Sequence, residues 1–137
     1  MRVAYQSPIQ ATFKGATAEA LSYTLEDAIV MANLDLFETL PGNGLIAKFR
    51  AAITDSADLC ALSEALKTAL NGGGKAEFAL DLLDIEEPLL LKAPAYIRDG
   101  LLWLVAQLEY NQVELGLAQV TGEEGVETVA APRELSA

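Results

Sequence analysis

The chain has 137 residues, of which 52% are apolar, so it can bury the core of one domain and does not have the composition of a disordered chain. Nine lysines and arginines against twenty aspartates and glutamates give a net charge of −11 and a pI near 4.2. Because the basic residues are scattered singly, this charge argues against direct binding of nucleic acid or of an anionic membrane, and it favours a basic protein partner.

The N-terminal segment predicts one to three short strands. Ile9, Ala11 and Phe13 alternate with polar residues, and the Lys-Gly pair that follows is a turn signal. Residues 16–23, ATAEALSY, either extend this pattern as a further strand or begin a helix. We also interpret the pair Val3 and Tyr5 as part of this strand region.

The N-terminus does not have the apolar core of a signal peptide. The longest apolar run, residues 101–106, is far shorter than the ~20 residues that cross a bilayer. We therefore expect a cytoplasmic protein that does not enter a membrane.

Helices are predicted from Thr24 onward. Thr24 is a suitable N-cap with Asp27 three residues later, and an apolar stripe predicts one helix from there to Leu40, where PGNG at 41–44 ends it. A short helix follows at about 45–53. The next helix places Leu59, Leu62, Leu66 and Leu70 on one face, with Asp55 or Ser56 as its cap and an exit at 71–72.

The stretch KAEFALDLLDIEEPLLLK, residues 75–92, contains no base between its two lysines. Its five carboxylates belong to Glu77, Asp81, Asp84, Glu86 and Glu87. Whether the segment is a strand or a helix, Glu77 and Asp81 fall on the same exposed side, and residue propensity favours the helix. Two of these acids could share a hard cation, but the spacing is not that of a calcium-binding loop. We interpret the acids as a solvated face that is available to a basic partner, with no metal or cofactor site.

Pro94 predicts the first turn of a helix that runs to about Gln112 and is apolar nearly all round. Tyr96, Trp103 and Tyr110 recur at sevenfold spacing on it. We expect Trp103 in the core, and Tyr96 and Tyr110, near the helix ends, in partner binding. Residues 113–120 predict a short closing strand. The predicted organisation is a single globular domain over 1–121 with an acidic flexible tail over 122–137.

The sequence contains no histidine, which removes the commonest general base and most nucleophilic arrangements. Its only cysteine, Cys60, has no neighbouring base to activate it, so we predict a buried core residue. The three consecutive glycines at 72–74 follow a helix and precede Lys-Ala, so they predict a connector and not a phosphate-binding loop.

These features predict an α+β, mostly helical protein with N-terminal strands followed by about five helices; an all-α fold is the alternative. The first functional hypothesis is a small acidic, non-enzymatic interaction module, of the inhibitor, immunity, anti-defence or assembly-chaperone type, that occludes a basic surface on a partner. The alternative is a self-assembling structural subunit, because the mean hydropathy of +0.26 leaves apolar surface for a homo-oligomer. A hydrolase that uses a metal at the 77–87 acids is the third hypothesis.

Overall fold

The computed structural model describes residues 2–116, which form a two-stranded sheet, six α-helices and a 3-10 turn. The elements in chain order are β1 Ile9–Phe13, β2 Ala16–Ala20, α1 Leu25–Ala32, α2 Leu34–Thr39, α3 Gly44–Asp55, α4 Leu59–Asn71, α5 Lys75–Leu83, the 3-10 turn Pro88–Leu90, and α6 Ala95–Glu114. The predicted α+β, mostly helical class is confirmed, and the all-α alternative is wrong.

The chain divides into a first unit that ends at Arg98 and a second that begins at Asp99, and each is described by itself. The predicted tail at 122–137 lies outside the described residues, as does the second half of the strand predicted at 113–120. The first half of that strand is wrong, because α6 continues to Glu114.

β1 and β2 form an antiparallel hairpin that is closed by Lys14 and Gly15. The φ angles of these two residues, 50° and 83°, match a tight turn that follows the right-handed twist of the strands. Lys14 also joins the hairpin to α3, since its ammonium donates hydrogen bonds to the carbonyls of Thr54 and Ser56 at the end of that helix. The N-terminal strand region is therefore confirmed for 9–13 and 16–20, whereas Val3 and Tyr5 precede the sheet.

The helix predicted from Thr24 to Leu40 is two helices, because Asn33 interrupts it. Its start is confirmed: Thr24 and Asp27 form a capping box. At the interruption, the Asn33 amide donates to the carbonyls of Ile29 and Lys92, both at 2.8 Å, and its oxygen accepts from the Lys92 amide at 2.7 Å. Asn33 thus connects the junction of α1 and α2 to the backbone of Lys92, in the segment between the 3-10 turn and α6.

The predicted apolar face of α4 is confirmed, since Leu59, Leu62, Leu66 and Leu70 are all buried. Its cap is Asp58, whose carboxylate accepts from the Ala61 amide at 2.8 Å, so the choice of Asp55 or Ser56 was wrong. The prediction that Cys60 is buried is also wrong, because its side chain is exposed. A residue turns about 100° round a helix relative to its neighbour, which carries Cys60 off the leucine face.

The core of the first unit centres on three fully buried phenylalanine rings, one each from α2, α3 and α5. The ring of Phe49 meets that of Phe78 edge to face, with centroids 5.2 Å apart, and Phe37 lies 6.0 Å from Phe78 and 6.4 Å from Phe49. Such edge-to-face pairs add to the energy of burial alone. Phe78 is the one buried residue of α5, so this ring holds that helix on the core.

We predict that Phe78→Ala lowers the free energy of unfolding by about 3–5 kcal/mol, because it removes a buried aromatic ring and leaves a cavity. The matched control is Leu83→Ala in the same helix, where the side chain is 83% exposed and the change should stay within about 0.5 kcal/mol. Chemical denaturation of both variants gives the comparison. Equal losses in the two would contradict the anchoring role of Phe78.

Candidate functional site

The acidic stretch is helical over its first half and irregular over its second. Lys75–Leu83 forms α5, and Asp84 is its C-cap. Glu77 and Asp81 are both exposed, one turn apart, as both interpretations of the sequence required. Glu86 and Glu87 lie in the loop before the 3-10 turn and are also exposed. None of the acids at 81–87 makes an ion pair with a residue in 2–116.

Four of the five acids border one groove of about 530 Å³, which we call the acidic groove. Its lining residues are Leu36, Leu40, Pro41, Gly42, Ile46, Asp81, Asp84, Ile85, Glu86, Glu87 and Leu90. The apolar residues come mainly from α2, the loop after it and α3, whereas the carboxylates come from α5 and the loop that follows. Glu77 does not border this groove. The structure therefore joins an apolar surface to an acidic edge.

Residues 40–42, just before α3, form one side of the acidic groove, which we call the lip, and Arg50 holds them in place. Its guanidinium donates to the carbonyl of Leu40 at 2.6 Å and to that of Gly42 at 3.4 Å. Gly42 has a φ of 153°, and a Cβ there would lie 3.0 Å from Cγ2 of Ile46, so only glycine fits without displacing this apolar side chain. A charged hydrogen bond and a glycine thus set the shape of this lip.

An ion pair ties the start of α5 to α1. The Lys75 ammonium lies 3.2 Å from Oε1 of Glu26. Partial burial raises the pKa of Glu26, but the Thr24 hydroxyl, the Glu26 backbone amide and the Lys75 ammonium together hold that pKa below its ordinary value. This pair places the first turn of the helix that carries Glu77 and Asp81.

Of the two tyrosines that the sequence singled out, Tyr96 lies in the first unit and does not border the acidic groove. Tyr96 is half-buried in a small cavity beside Pro94, and burial raises its pKa, with the negative charges of Asp27 and Glu26 adding to the effect. Its phenol therefore stays neutral and can serve as a hydrogen-bond donor. Tyr110 belongs to the second unit, where its side chain is 61% exposed.

Within residues 2–116, α6 exposes much of its apolar surface. No side chain of α6 is buried, so the prediction that Trp103 packs in the core is wrong; Trp103 is partly exposed. On α6, the large apolar side chains that are at least 46% exposed are Leu101, Leu102, Leu104, Val105, Leu108, Tyr110 and Val113. The sequence signal for this was present, because a helix that is apolar nearly all round lies either in a core or at an interface.

The apolar floor of the acidic groove is the part of the site that the sequence did not indicate. Leu36 and Leu40 belong to a helical stripe typical of a core, and Ile46 lies on a different helix. Only the return of the chain between α5 and the 3-10 turn brings these side chains beside the acids. Their proximity is a tertiary feature without a local pattern.

Comparison of the chain with models of protein families, with curated proteins and with solved structures finds no match. Within residues 2–116, no three acidic or thiol side chains come together as a set of metal ligands. None of the helices in that range has both the length and the apolar character needed to span a bilayer.

We predict that Arg50→Ala lowers the free energy of unfolding by about 1–3 kcal/mol, because two carbonyls lose a charged donor. Amide exchange at Leu40 and Ala47, whose N–H groups donate to the carbonyls of Leu36 and Asn43 beside the lip, should become faster as the lip opens. Lys48→Ala is the control: it removes the same charge from an exposed position on α3 and should change stability by about 0.5 kcal/mol or less. Chemical denaturation measures the stability and hydrogen exchange measures the opening of the lip. Unchanged exchange rates in Arg50→Ala would refute the assignment of Arg50 as the residue that holds the lip.

Proposed function

We propose that this protein is a small acidic, non-enzymatic interaction module whose acidic groove binds a basic and partly apolar segment of a partner protein. The partner's basic surface would be occluded in the complex, as an inhibitor, an immunity or anti-defence protein or an assembly chaperone would do. The observation that supports this most directly is the edge of four exposed carboxylates, without ion-pair partners in residues 2–116, beside an apolar floor.

The apolar floor and the acidic edge of the groove would have different roles in binding. The apolar floor supplies affinity through burial of side chains from the partner. The carboxylates attract basic partners over longer distances and oppose acidic ones, which affects the association rate and the specificity. Solvated carboxylates suit this role, whereas catalytic ones are typically buried among coupled neighbours. The net charge of −11 extends the attraction over the whole chain.

A standard protein interface covers about 800 Å² on each partner, which is more than one groove of this size offers to a folded surface. A protruding segment of the partner fits better than a flat face. Lysine or arginine side chains would lie along the acids, and aliphatic or aromatic side chains would face the partly exposed Leu36 and Leu40. This is the chemical description of the partner that we expect.

We predict that the triple variant Asp81→Lys, Asp84→Lys, Glu86→Lys lowers the rate of association with a basic partner by about tenfold or more, since steering charges are reversed. The partner is captured on the tagged protein from native lysate at low salt and then released at high salt. Its binding kinetics are next measured with purified components as a function of salt.

The matched control reverses three exposed acids that do not border the acidic groove: Glu19→Lys, Asp55→Lys, Glu64→Lys. It has the same net charge as the groove variant, so any difference between the two reports position rather than total charge. Both variants should unfold near the wild-type denaturant concentration. Equal loss of binding in the two variants would mean that only the total charge matters, and it would contradict binding at the acidic groove.

A second candidate function is self-association through α6, and it rests on the exposed apolar side chains of that helix. Residues 100–108, GLLWLVAQL, contain no charge in a chain that is strongly acidic elsewhere. Exposed apolar surface of this kind is typical of interfaces. A second copy packed antiparallel would keep the acids Glu109 and Glu114 of the two helices apart, whereas a parallel pair would place them together.

We predict that the full chain forms a dimer or a larger assembly, and that Leu104→Glu with Leu108→Glu returns it to the monomer mass of 14.6 kDa. The control, Ala61→Glu with Thr68→Glu, adds the same two charges at exposed positions on α4, which belongs to the first unit. Light scattering over a range of concentrations distinguishes them. A wild-type chain that stays monomeric at high concentration would rule out this candidate.

A further inference from the structure

β1 has one free edge, and the register of the hairpin shows which residues face it. Phe13 and Ala16 flank a two-residue turn and form a hydrogen-bonded pair, and hydrogen-bonded pairs then alternate along an antiparallel ladder. Gln10 and Thr12 therefore direct their backbone N–H and C=O groups away from β2. Among residues 2–116, no backbone or side-chain hydrogen bond satisfies these four groups. An unpaired edge of this kind is a template for another strand.

A depression runs along the same edge, between β1 and α2. It consists of two adjoining cavities of about 590 and 370 Å³, which share Thr12, Leu34 and Asp35, and we call it the β1 trench. No residue of β2 lines either cavity, so the trench lies on the open side of β1. Because β1 has five residues at ~3.3 Å each, the edge can pair with a segment of similar length.

Two acids and two bases line the trench, and they are unevenly placed along it. Asp35 and Glu38 on α2 line it, both are exposed, and neither has an ion-pair partner in residues 2–116. Lys14 borders the same end, but its ammonium already donates to the carbonyls of Thr54 and Ser56. Lys92 lies at the other end, beside Leu90. A basic side chain of an added strand would thus lie beside Asp35 and Glu38.

The β1 trench and the acidic groove adjoin, because Leu36 and Leu90 line both. We infer that the partner segment binds in an extended conformation, adds a third strand to β1 at Gln10 and Thr12, and continues past Leu36 and Leu90 into the acidic groove. This mode is β-strand addition, in which main-chain hydrogen bonds give affinity and alternate side chains give specificity. The inference rests on the proposed function, since it names the conformation of the same basic segment.

The test uses the full chain and three synthetic peptides: one that alternates lysine and valine, one with lysine and leucine at helical spacing, and one that alternates glutamate and valine. Binding is measured by calorimetry, and amide exchange is followed at Gln10 and Thr12. The alternating basic peptide should bind best and should slow exchange of both amides by about tenfold or more. The acidic peptide should not bind.

Gln10→Pro should weaken binding of the alternating basic peptide by roughly tenfold, because proline removes the outward donor and places its ring in the path of the added strand. The hairpin keeps its own bonds, since this N–H does not pair with β2. Gln10→Ala, the control, loses only the side chain and should bind as the wild type does. Glu38→Lys gives a second variant on α2 that leaves the backbone of β1 intact, and it should also weaken this peptide.

The outcomes separate the two proposals. If the helical-spacing peptide binds and the alternating one does not, or if exchange at Gln10 and Thr12 is unchanged on binding, strand addition is overturned while the proposed function stands. If the chain alone protects these amides as its concentration rises, the edge pairs with a second copy and the inference is wrong. If neither basic peptide binds, both proposals fail.

Discussion

The contact between the Phe78 ring and those of Phe37 and Phe49 is the constraint on which the rest of the candidate surface depends. α5 is short and fully buries only this side chain; its other ties are the partly buried Leu82 and the ion pair between Lys75 and Glu26. Its acids face water because burial of a carboxylate without a partner is costly, and they stay near α2 and α3 because the three rings meet there. The nine residues of α5 thus bury Phe78 on one face of the helix and expose Glu77 and Asp81 on another.

Local patterns in the sequence were enough to predict the elements whose cause is local. The leucine face of α4, the Thr24 capping box and the exposed side shared by Glu77 and Asp81 all follow from spacing within one turn or two. The break at Asn33 does not, because the groups that its side chain binds include the backbone of Lys92, 59 positions away. Helix propensity and hydrophobic periodicity do not take account of a contact so distant in the sequence, so they predict one long helix.

The candidate site likewise has one part that local sequence patterns predict and one part that they do not. Its acids are adjacent in sequence and were visible as a group, whereas its floor is assembled from Leu36, Leu40 and Ile46 on other elements. Each of those side chains, considered alone, is typical of a core position. A groove appears where the packing of α2 and α3 leaves apolar surface uncovered and the loop after α5 passes beside it. The free edge of β1 is also tertiary in origin, since a two-stranded sheet has an open side only if no third strand covers it.

Charge gives a physical reason why the two proposed contacts, partner binding and self-association, use different parts of the chain. Two copies of a chain with a net charge of −11 repel each other wherever their acidic surfaces approach. Self-association is therefore favourable only through a stretch without charge, and residues 100–108 of α6 are such a stretch. A basic partner faces the opposite balance: it gains most where unpaired carboxylates stand beside apolar surface, as they do at Asp81 and Asp84. The uneven distribution of acids along the chain thus favours different residues for the two proposed contacts.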